Sequence, residues 1–254
     1  MRRRFFVEGF AENAATLRGD SADHLGRVLR AEAGQLYELS DGKNVWLARV
    51  ELIALPKRGE SRIEFGLLEP IATREPALQI SLMLSIVKFD RFEWCLEKAT
   101  ELGVSEIVPL VAGRTDKPLI SAAPNRLERW KKIALESAQQ SRRLRPPALL
   151  APIPPRQAFA ECAADCKILL SERPDAPSLR CAHDQFRIAP ESTGLTERAA
   201  PAAIAIGPEG GWTDDEYAAA RASGFAEASL GETILRTETA VIAALAVLRF
   251  AAAP

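Results

Sequence analysis

Between Ala202 and Leu248 the chain reads strand, glycine turn, helix, strand, loop, helix, and this order leaves few folds open. The apolar run Ala202 to Ile206 is short, β-branched at Ile204 and Ile206, and bracketed by Pro201 and Gly207, the pattern of a buried strand. It runs into Gly207-Pro208-Glu209-Gly210-Gly211, where the glycines permit positive φ and close approach of a ligand to the backbone, while Pro208 stiffens the entry. Thr213 and Glu216 have capping-box spacing, so a helix is predicted to start there. A glycine turn between strand and helix is the layout of a nucleotide site at the carboxyl end of a parallel strand.

The turn lacks the Lys and the Ser or Thr of a phosphate loop and carries Glu209, whose charge repels an anion. A cationic or neutral nucleoside suits it better. Ala226 to Leu230 reads as a second strand ending at Gly231, followed by a loop, Glu232 to Arg236, in which Ile234 and Leu235 are placed to wall an adenine ring. Thr237 is the predicted N-cap of a helix running to Phe250, with Glu238 complementing its dipole.

The remaining chain divides in two by pattern. Residues 1 to about 70 read as mostly β: Arg4 to Val7, Gln35 to Ser40, Asn44 to Ile53 and Arg62 to Leu68 have strand length, and Asp41-Gly42 is a hairpin signal. A short helix is predicted over Ser21 to Leu29 with Ser21 as cap, and these elements suggest a small barrel or sandwich. Ala72 to Ala77 is the linker candidate. Beyond it strands and helices alternate, as in an α/β domain with a largely parallel sheet: strands Leu78 to Ile86, Glu106 to Val111 and Lys167 to Ser171, helices Arg91 to Leu102 and Asn125 to Arg143. On the second helix Leu127, Trp130, Ala134, Ala138 and Ser141 are expected to face inward. Residues 173 to 200 show little periodicity and read as a surface insertion.

A length of 254 residues and 47% hydrophobic content support one large or two modest domains with a packed core. The formal net charge of −1 hides an asymmetry: residues 126 to 145 hold seven basic side chains against two acidic ones, which points either to an anionic partner such as nucleic acid or to a solvated face. The mixed segment after the basic start and the short apolar run Ala240 to Leu248 predict neither signal peptide nor membrane span, hence a cytoplasmic protein. Cys95, Cys162, Cys166 and Cys181 form no disulfide framework. Cys162 and Cys166, four apart on a predicted helix, with Cys181 and His183 match no common zinc spacing, so buried thiols and no metal are expected. His24 is expected to be structural.

The segments GPEGGW (207 to 212), SLG (229 to 231) and ILRTETA (234 to 240) together resemble the signature of the SPOUT methyltransferases, most closely the RsmE family. RRFFV (3 to 7), HLGRVLR (24 to 30), KFDR (88 to 91), KATELGV (98 to 104), VPL with Arg114 after it, and QSRR (140 to 143) extend the resemblance over nearly the whole chain. By this resemblance glycine is expected in many relatives where Phe89 and Arg142 stand here. The resemblance implies an α/β trefoil knot over residues 77 to 254, behind a PUA-like RNA-binding β-barrel over residues 1 to 71. It further implies a homodimer that uses S-adenosylmethionine to methylate N3 of a uridine (U1498) in 16S ribosomal RNA, free or within the 30S particle, during ribosome biogenesis.

By the same resemblance the methyl donor is held by Leu170, Gly207, Pro208, Glu209, Gly210, Gly211, Leu230, Gly231, Ile234, Leu235, Arg236 and Thr237. Arg3, Arg4, Arg30, Lys88, Arg91, Arg114 and Arg143 are the expected RNA contacts. Uracil N3 carries a proton, so the reaction calls for a base or for a cation at the ring oxygens. Arg143 and Arg236 are the candidates for the cation; backbone or phosphate contact is the alternative for each. Glu209 is open between base, orienting group and turn structure. Other functional readings are a SPOUT enzyme with a different RNA target atom and a noncatalytic RNA-binding or ribosome-assembly factor.

Overall fold

A computed structural model describes residues 3–73, 78–180 and 201–252. The chain forms two compact units, one of Met1–Glu75 with Ala138–Pro146, the other of Pro76–Ser137 with Pro147–Pro254.

The first unit is a five-stranded sheet in the order β1-β3-β4-β5-β2, with β1 Arg4–Phe6, β2 Ala14–Arg18, β3 Leu36–Ser40, β4 Val45–Ala54 and β5 Arg62–Ile71. Only β1 and β3 run parallel. Register shifts at Leu47/Ala48 and Val50/Leu52 interrupt the β4–β5 ladder, and bulges of this kind bend and twist a strand. No β1–β2 pairing occurs among the described residues, and the bulged sheet curls into a half-barrel, the coarser form of the expected barrel. Phe5, Leu17, Leu39, Val50, Ile63 and Phe65 make its core with Leu25.

Helix α1, Gly19–Asp23, begins ahead of the predicted Ser21 cap, and a π-helical turn, His24–Val28, continues it. Ser21 is not the cap because the chain is anchored at its entry by a tertiary bond, Gly19 N–H to the Ser61 carbonyl (2.9 Å). His24 is half-buried in the π turn.

The second unit is built on a six-stranded sheet, all parallel, in the order β11-β9-β10-β6-β7-β8. Its strands are β6 Ile80–Ser85, β7 Glu106–Leu110, β8 Ala148–Leu149, β9 Cys166–Leu170, β10 Ala202–Ile206 and β11 Ala226–Ala228. Its helices are α2 Phe89–Glu101, α3 Lys117–Ala122, α4 Leu127–Gln140, α5 Pro155–Glu161, α6 Asp214–Ala222 and α7 Thr237–Ala251. Every residue of β10 is buried, as a central parallel strand requires. Alternate side chains feed two cores. Leu82, Leu84, Ile168, Ile204 and Ile206 meet Phe92, Leu96, Trp130, Val241 and Leu245 on one face; Met83, Leu169, Ala203 and Ala205 meet Phe159, Trp212, Tyr217 and Phe225 on the other.

Several expectations are corrected. Strand β2 and helices α3 and α5 were not foreseen, and the proline-rich approach to β9 carries β8. Cys162 caps the end of α5 while Cys166 opens β9, so the pair shares no helix; no metal-binding group occurs among the described residues. Residues 173–180 are mostly exposed, in keeping with a surface segment, but Leu179 anchors them at 3% exposure and Ser178 bridges to Ser229. Cys181, His183 and the rest of the stretch to residue 200 lie outside the described residues. No helix among those described is long and apolar enough to cross a membrane.

Candidate functional site

The carboxyl ends of three neighbouring strands, β10, β9 and β11, open into one cavity of about 1190 Å³. Each strand delivers its following residues to the wall: Ile206 and the glycine corner from β10, Leu170 to Pro174 from β9, Ser229 to Gly231 from β11. The crevice outside the carboxyl ends of parallel strands is where α/β sheets bind ligands. The segment 232–237 and Ala240, in the first turn of α7, line it as well.

The glycine corner takes its shape from three different constraints. Gly211 has φ 70°, a left-handed conformation that suits glycine. Gly207 is needed for space: a Cβ there would lie 3.1 Å from the Trp212 ring, whose Nε1 donates to the Leu170 carbonyl at 2.9 Å. Gly210 faces Arg114, which donates from Nη1 to the Gly210 carbonyl (2.7 Å). Only the first of these is the positive φ expected of the turn. The capping box of α6 forms as predicted, with Thr213 and Glu216 each accepting from the other's backbone N–H.

The predicted cap of α7 does not form. Arg236 is the N-cap residue, without a side-chain cap bond, and Thr237 is buried inside the helix with its hydroxyl directed at the Gly207 carbonyl (3.5 Å). The hydroxyl is thus turned toward the glycine corner rather than to its own helix.

All twelve residues expected to hold the donor line this cavity, as do Arg91 and Arg114. Ile234 is 77% exposed, and Leu235 is partly buried against the core. Glu209 is exposed and pairs with Arg91. The wall also contains Ser171, Arg173, Trp212 and Tyr217, which sequence reasoning did not single out. Arg173 sits 3.7 Å above the Tyr217 ring and bonds Asp214 at 2.9 Å, and the Tyr217 hydroxyl meets Ser171 Oγ at 3.0 Å. Trp212 was visible inside GPEGGW; the others had no local signal, because strand order brings them together.

The cations expected to contact RNA fall in both units. Arg3 and Arg30 are exposed, whereas Arg4 is buried, with its guanidinium on Glu38 (2.9 Å) and on the Arg142 carbonyl (2.7 Å). Arg143 belongs to the first unit, in the turn after α4, its amide bonded to the Ala138 carbonyl at 3.0 Å. Lys88 is exposed at the start of α2. The Phe89 ring packs against Trp130 (6.0 Å) beneath Arg126 (4.7 Å). Of the basic stripe, Arg126 and Arg129 pair with Glu93, and Lys131 with Glu128.

The model of the RNA methyltransferase domain family matches residues 73–249. A ribosomal RNA small subunit methyltransferase E from Synechocystis is 34% identical over 94% of this chain and 74% of its own length; one from Bacillus subtilis is 27% identical over 98% and 96%. The crystal structure of a ribosomal RNA small subunit methyltransferase E from Neisseria gonorrhoeae bound to S-adenosylmethionine superposes with a TM-score of 0.81 at 30% identity, covering 99% of this chain and 98% of that one. With its α/β unit matched by the family model and relatives aligned over both units, the chain belongs to the ribosomal RNA small subunit methyltransferase E family of RNA methyltransferases.

Proposed function

We propose that the protein is an S-adenosylmethionine-dependent methyltransferase that acts on N3 of a uridine in 16S ribosomal RNA. The observation that carries this reading is the convergence of the glycine corner, the segment 229–231 and the segment 234–237 on one cavity, in a family with a donor-bound relative. The residues fit the group: the glycines at 207 and 210 pack closely against Trp212 and Arg114 and leave the corner's backbone bare, Ile234 and Leu235 offer apolar walls, and Glu209 supplies the one negative charge of the corner.

When bound, the sulfonium supplies an activated methyl group and its own leaving group. The chain must then align the acceptor nitrogen, with reacting atoms about 3 Å apart, and manage the charge left when N3 loses its proton. Arg236, at the cavity rim, and Arg143 serve as donors to the uracil oxygens; Glu209 orients the donor or takes the proton. N3 lies on the pairing edge of the base, so the uridine must be unpaired or flipped out. Arg3, Arg30, Lys88, Arg91, Arg114 and Arg143 contact the RNA; Arg4 is left out because its charge is neutralised inside the fold. The first unit acts as a PUA-like RNA-holding domain and the second as a knotted SPOUT domain. The placement of β10 between β9 and β6, with β11 outermost, supports the knot. The enzyme works as a cytoplasmic homodimer.

Mass spectrometry of nucleosides from small-subunit RNA, with and without the protein, tests this reading. Loss of one 3-methyluridine in its absence is expected. An unchanged profile rejects the reading, and a different methylated nucleoside moves the target atom.

A further inference from the structure

A capping box needs one oxygen of its carboxylate, yet Glu216 uses both. Its Oε2 accepts from the Thr213 amide at 2.8 Å, completing the cap of α6, while Oε1 accepts from the amide of Gly113 at 2.7 Å, 103 residues away in sequence. Glu216 is 9% exposed and does not line the cavity, so it touches no ligand there. The residue next to Gly113 is Arg114, whose guanidinium holds the Gly210 carbonyl and whose stem packs 3.3 Å from where a Gly210 Cβ would sit. Gly113 itself has no room for a side chain without disturbance, since a Cβ would come within 3.2 Å of Thr213 Cγ2. One buried carboxylate thus fastens together the start of α6 and the loop after β7, and that loop holds the glycine corner through Arg114.

We propose that Glu216 is a positioning residue for the methyl donor, acting through Gly113 and Arg114 on the carbonyl of Gly210. Charge-assisted bonds from a carboxylate to backbone amides are short and directional, so the carboxylate sets the position of the 113–114 backbone rather than merely covering it. A shift of the Gly210 peptide changes the surface the donor's nucleoside meets, and displacements of about 1 Å at a bound reactant are costly. The inference rests on the donor reading of this cavity. It assigns Arg114 to the corner in addition to any RNA contact.

Calorimetric titration of the full chain with S-adenosylmethionine is the test, and the wild type is measured first. No binding by the wild type overturns the donor reading itself. Given wild-type binding, Glu216→Gln, which keeps a single acceptor for two amides, is expected to weaken donor affinity about tenfold. In methyl transfer, KM for the donor should rise with kcat changed less than twofold. Thr213→Ala removes the other half of the capping box but leaves the Gly113 bond in place; it is expected to lower the melting temperature without changing donor affinity. Arg114→Met should reproduce the loss, Arg114→Lys should recover part of it, and Glu216→Gln combined with Arg114→Met should be no worse than either alone. Donor affinity unchanged in Glu216→Gln, an equal loss in Thr213→Ala, or additive losses in the double variant overturns the proposal while leaving the donor site intact.

Discussion

The guanidinium of Arg91, in the first turn of α2, is paired with the carboxylate of Glu209 in the glycine corner, and both side chains line the same cavity. At 30% and 47% side-chain exposure the pair is open to solvent, and such pairs contribute about 0–1 kcal/mol. The carboxylate is therefore easily shared with a second cation. A bound sulfonium is such a cation, whereas the demethylated thioether is neutral. Glu209→Gln is expected to lower the preference for S-adenosylmethionine over S-adenosylhomocysteine by about fivefold, the equivalent of about 1 kcal/mol for partly exposed charges. Paired dissociation constants for the two ligands check this, and an unchanged ratio removes Glu209 from the donor's charge environment.

Arg4 and Glu38 behave differently, because their side chains are only 10% and 9% exposed. Two guanidinium nitrogens of Arg4 meet Glu38 Oε2, at 3.1 and 2.9 Å, and a third bonds the Arg142 carbonyl. Removing one partner of a buried pair costs about 3–5 kcal/mol where the other charge is left uncompensated; here Arg142 Nη1, 3.6 Å from Glu38 Oε1, offsets part of that loss, so the lower end of the range is expected. Arg4→Met should lower the denaturation midpoint of the first unit accordingly, and a loss within about 0.5 kcal/mol would show the pair to be dispensable.

The contrast between these two pairs shows which parts of the molecule the sequence discloses. The glycine corner and its helix were legible because turn residues and the Thr213/Glu216 box act within a few positions of one another. Thr237 misled for the opposite reason: its hydroxyl is drawn to a carbonyl 30 residues earlier, a partner supplied by strand order. Strand β2 escaped because only Ala15 and Leu17 point inward, and its existence rests on pairing with β5. Arg4 looked like one more surface cation in a basic start; only the register of β1 on β3, which sets it opposite Glu38, shows otherwise. Arg142, by contrast, stands where the resemblance leads one to expect glycine, and its φ of 55° is a conformation that favours glycine.

Arg249, near the end of α7, donates to the carbonyls of Leu78 (2.6 Å), Leu102 (3.0 Å) and Gly103. These carbonyls lie beside the start of β6 and the end of α2, so one side chain closes three acceptors that no regular element satisfies. Burial pulls its pKa below the ordinary arginine value. Arg249→Met keeps the stem but strands the acceptors, and about 2–3 kcal/mol of stability should be lost, the scale of hydrogen bonds to a charged group. Gly103→Ala tests the same contact from the other side: φ is 83° and a Cβ would lie 2.9 Å from Arg249 Nη2, so it too should destabilise. Urea denaturation of both variants provides the measurement.

Cys95 and Cys166 are pushed up to about 12 from an ordinary value of 9.0, both by burial, Cys95 also by the charge of Glu238. At pH 8 both should resist alkylation in the folded protein and react only on unfolding, which peptide mass spectrometry after a timed pulse would show. The linkage runs one way. Between about pH 9 and 12 the unfolded chain releases thiol protons that the folded chain retains, so stability is unaffected by these groups below about pH 8. It then falls as pH rises, by up to roughly 1.4 kcal/mol per unit for each thiol. Rapid labelling of either cysteine in the native state would contradict the burial.

Arg30 separates stability from recognition. Its φ of 53° is left-handed, a conformation that costs a side-chain-bearing residue roughly 1–2 kcal/mol, and the side chain is exposed at the end of the HLGRVLR segment. Arg30→Gly relieves the backbone, while glycine's greater freedom in the unfolded chain takes back about 0.5–1 kcal/mol. Stability should therefore stay level or rise by up to about 1.5 kcal/mol. If the guanidinium meets an RNA phosphate, affinity for small-subunit RNA must fall and the slope of log K against log salt must become shallower by about 1, the signature of one lost phosphate contact. Denaturant titration and a salt series of RNA binding on the same preparation read the two effects separately. An intact slope in a variant of full stability would mean that this arginine is held in a costly conformation for some purpose other than the phosphate backbone.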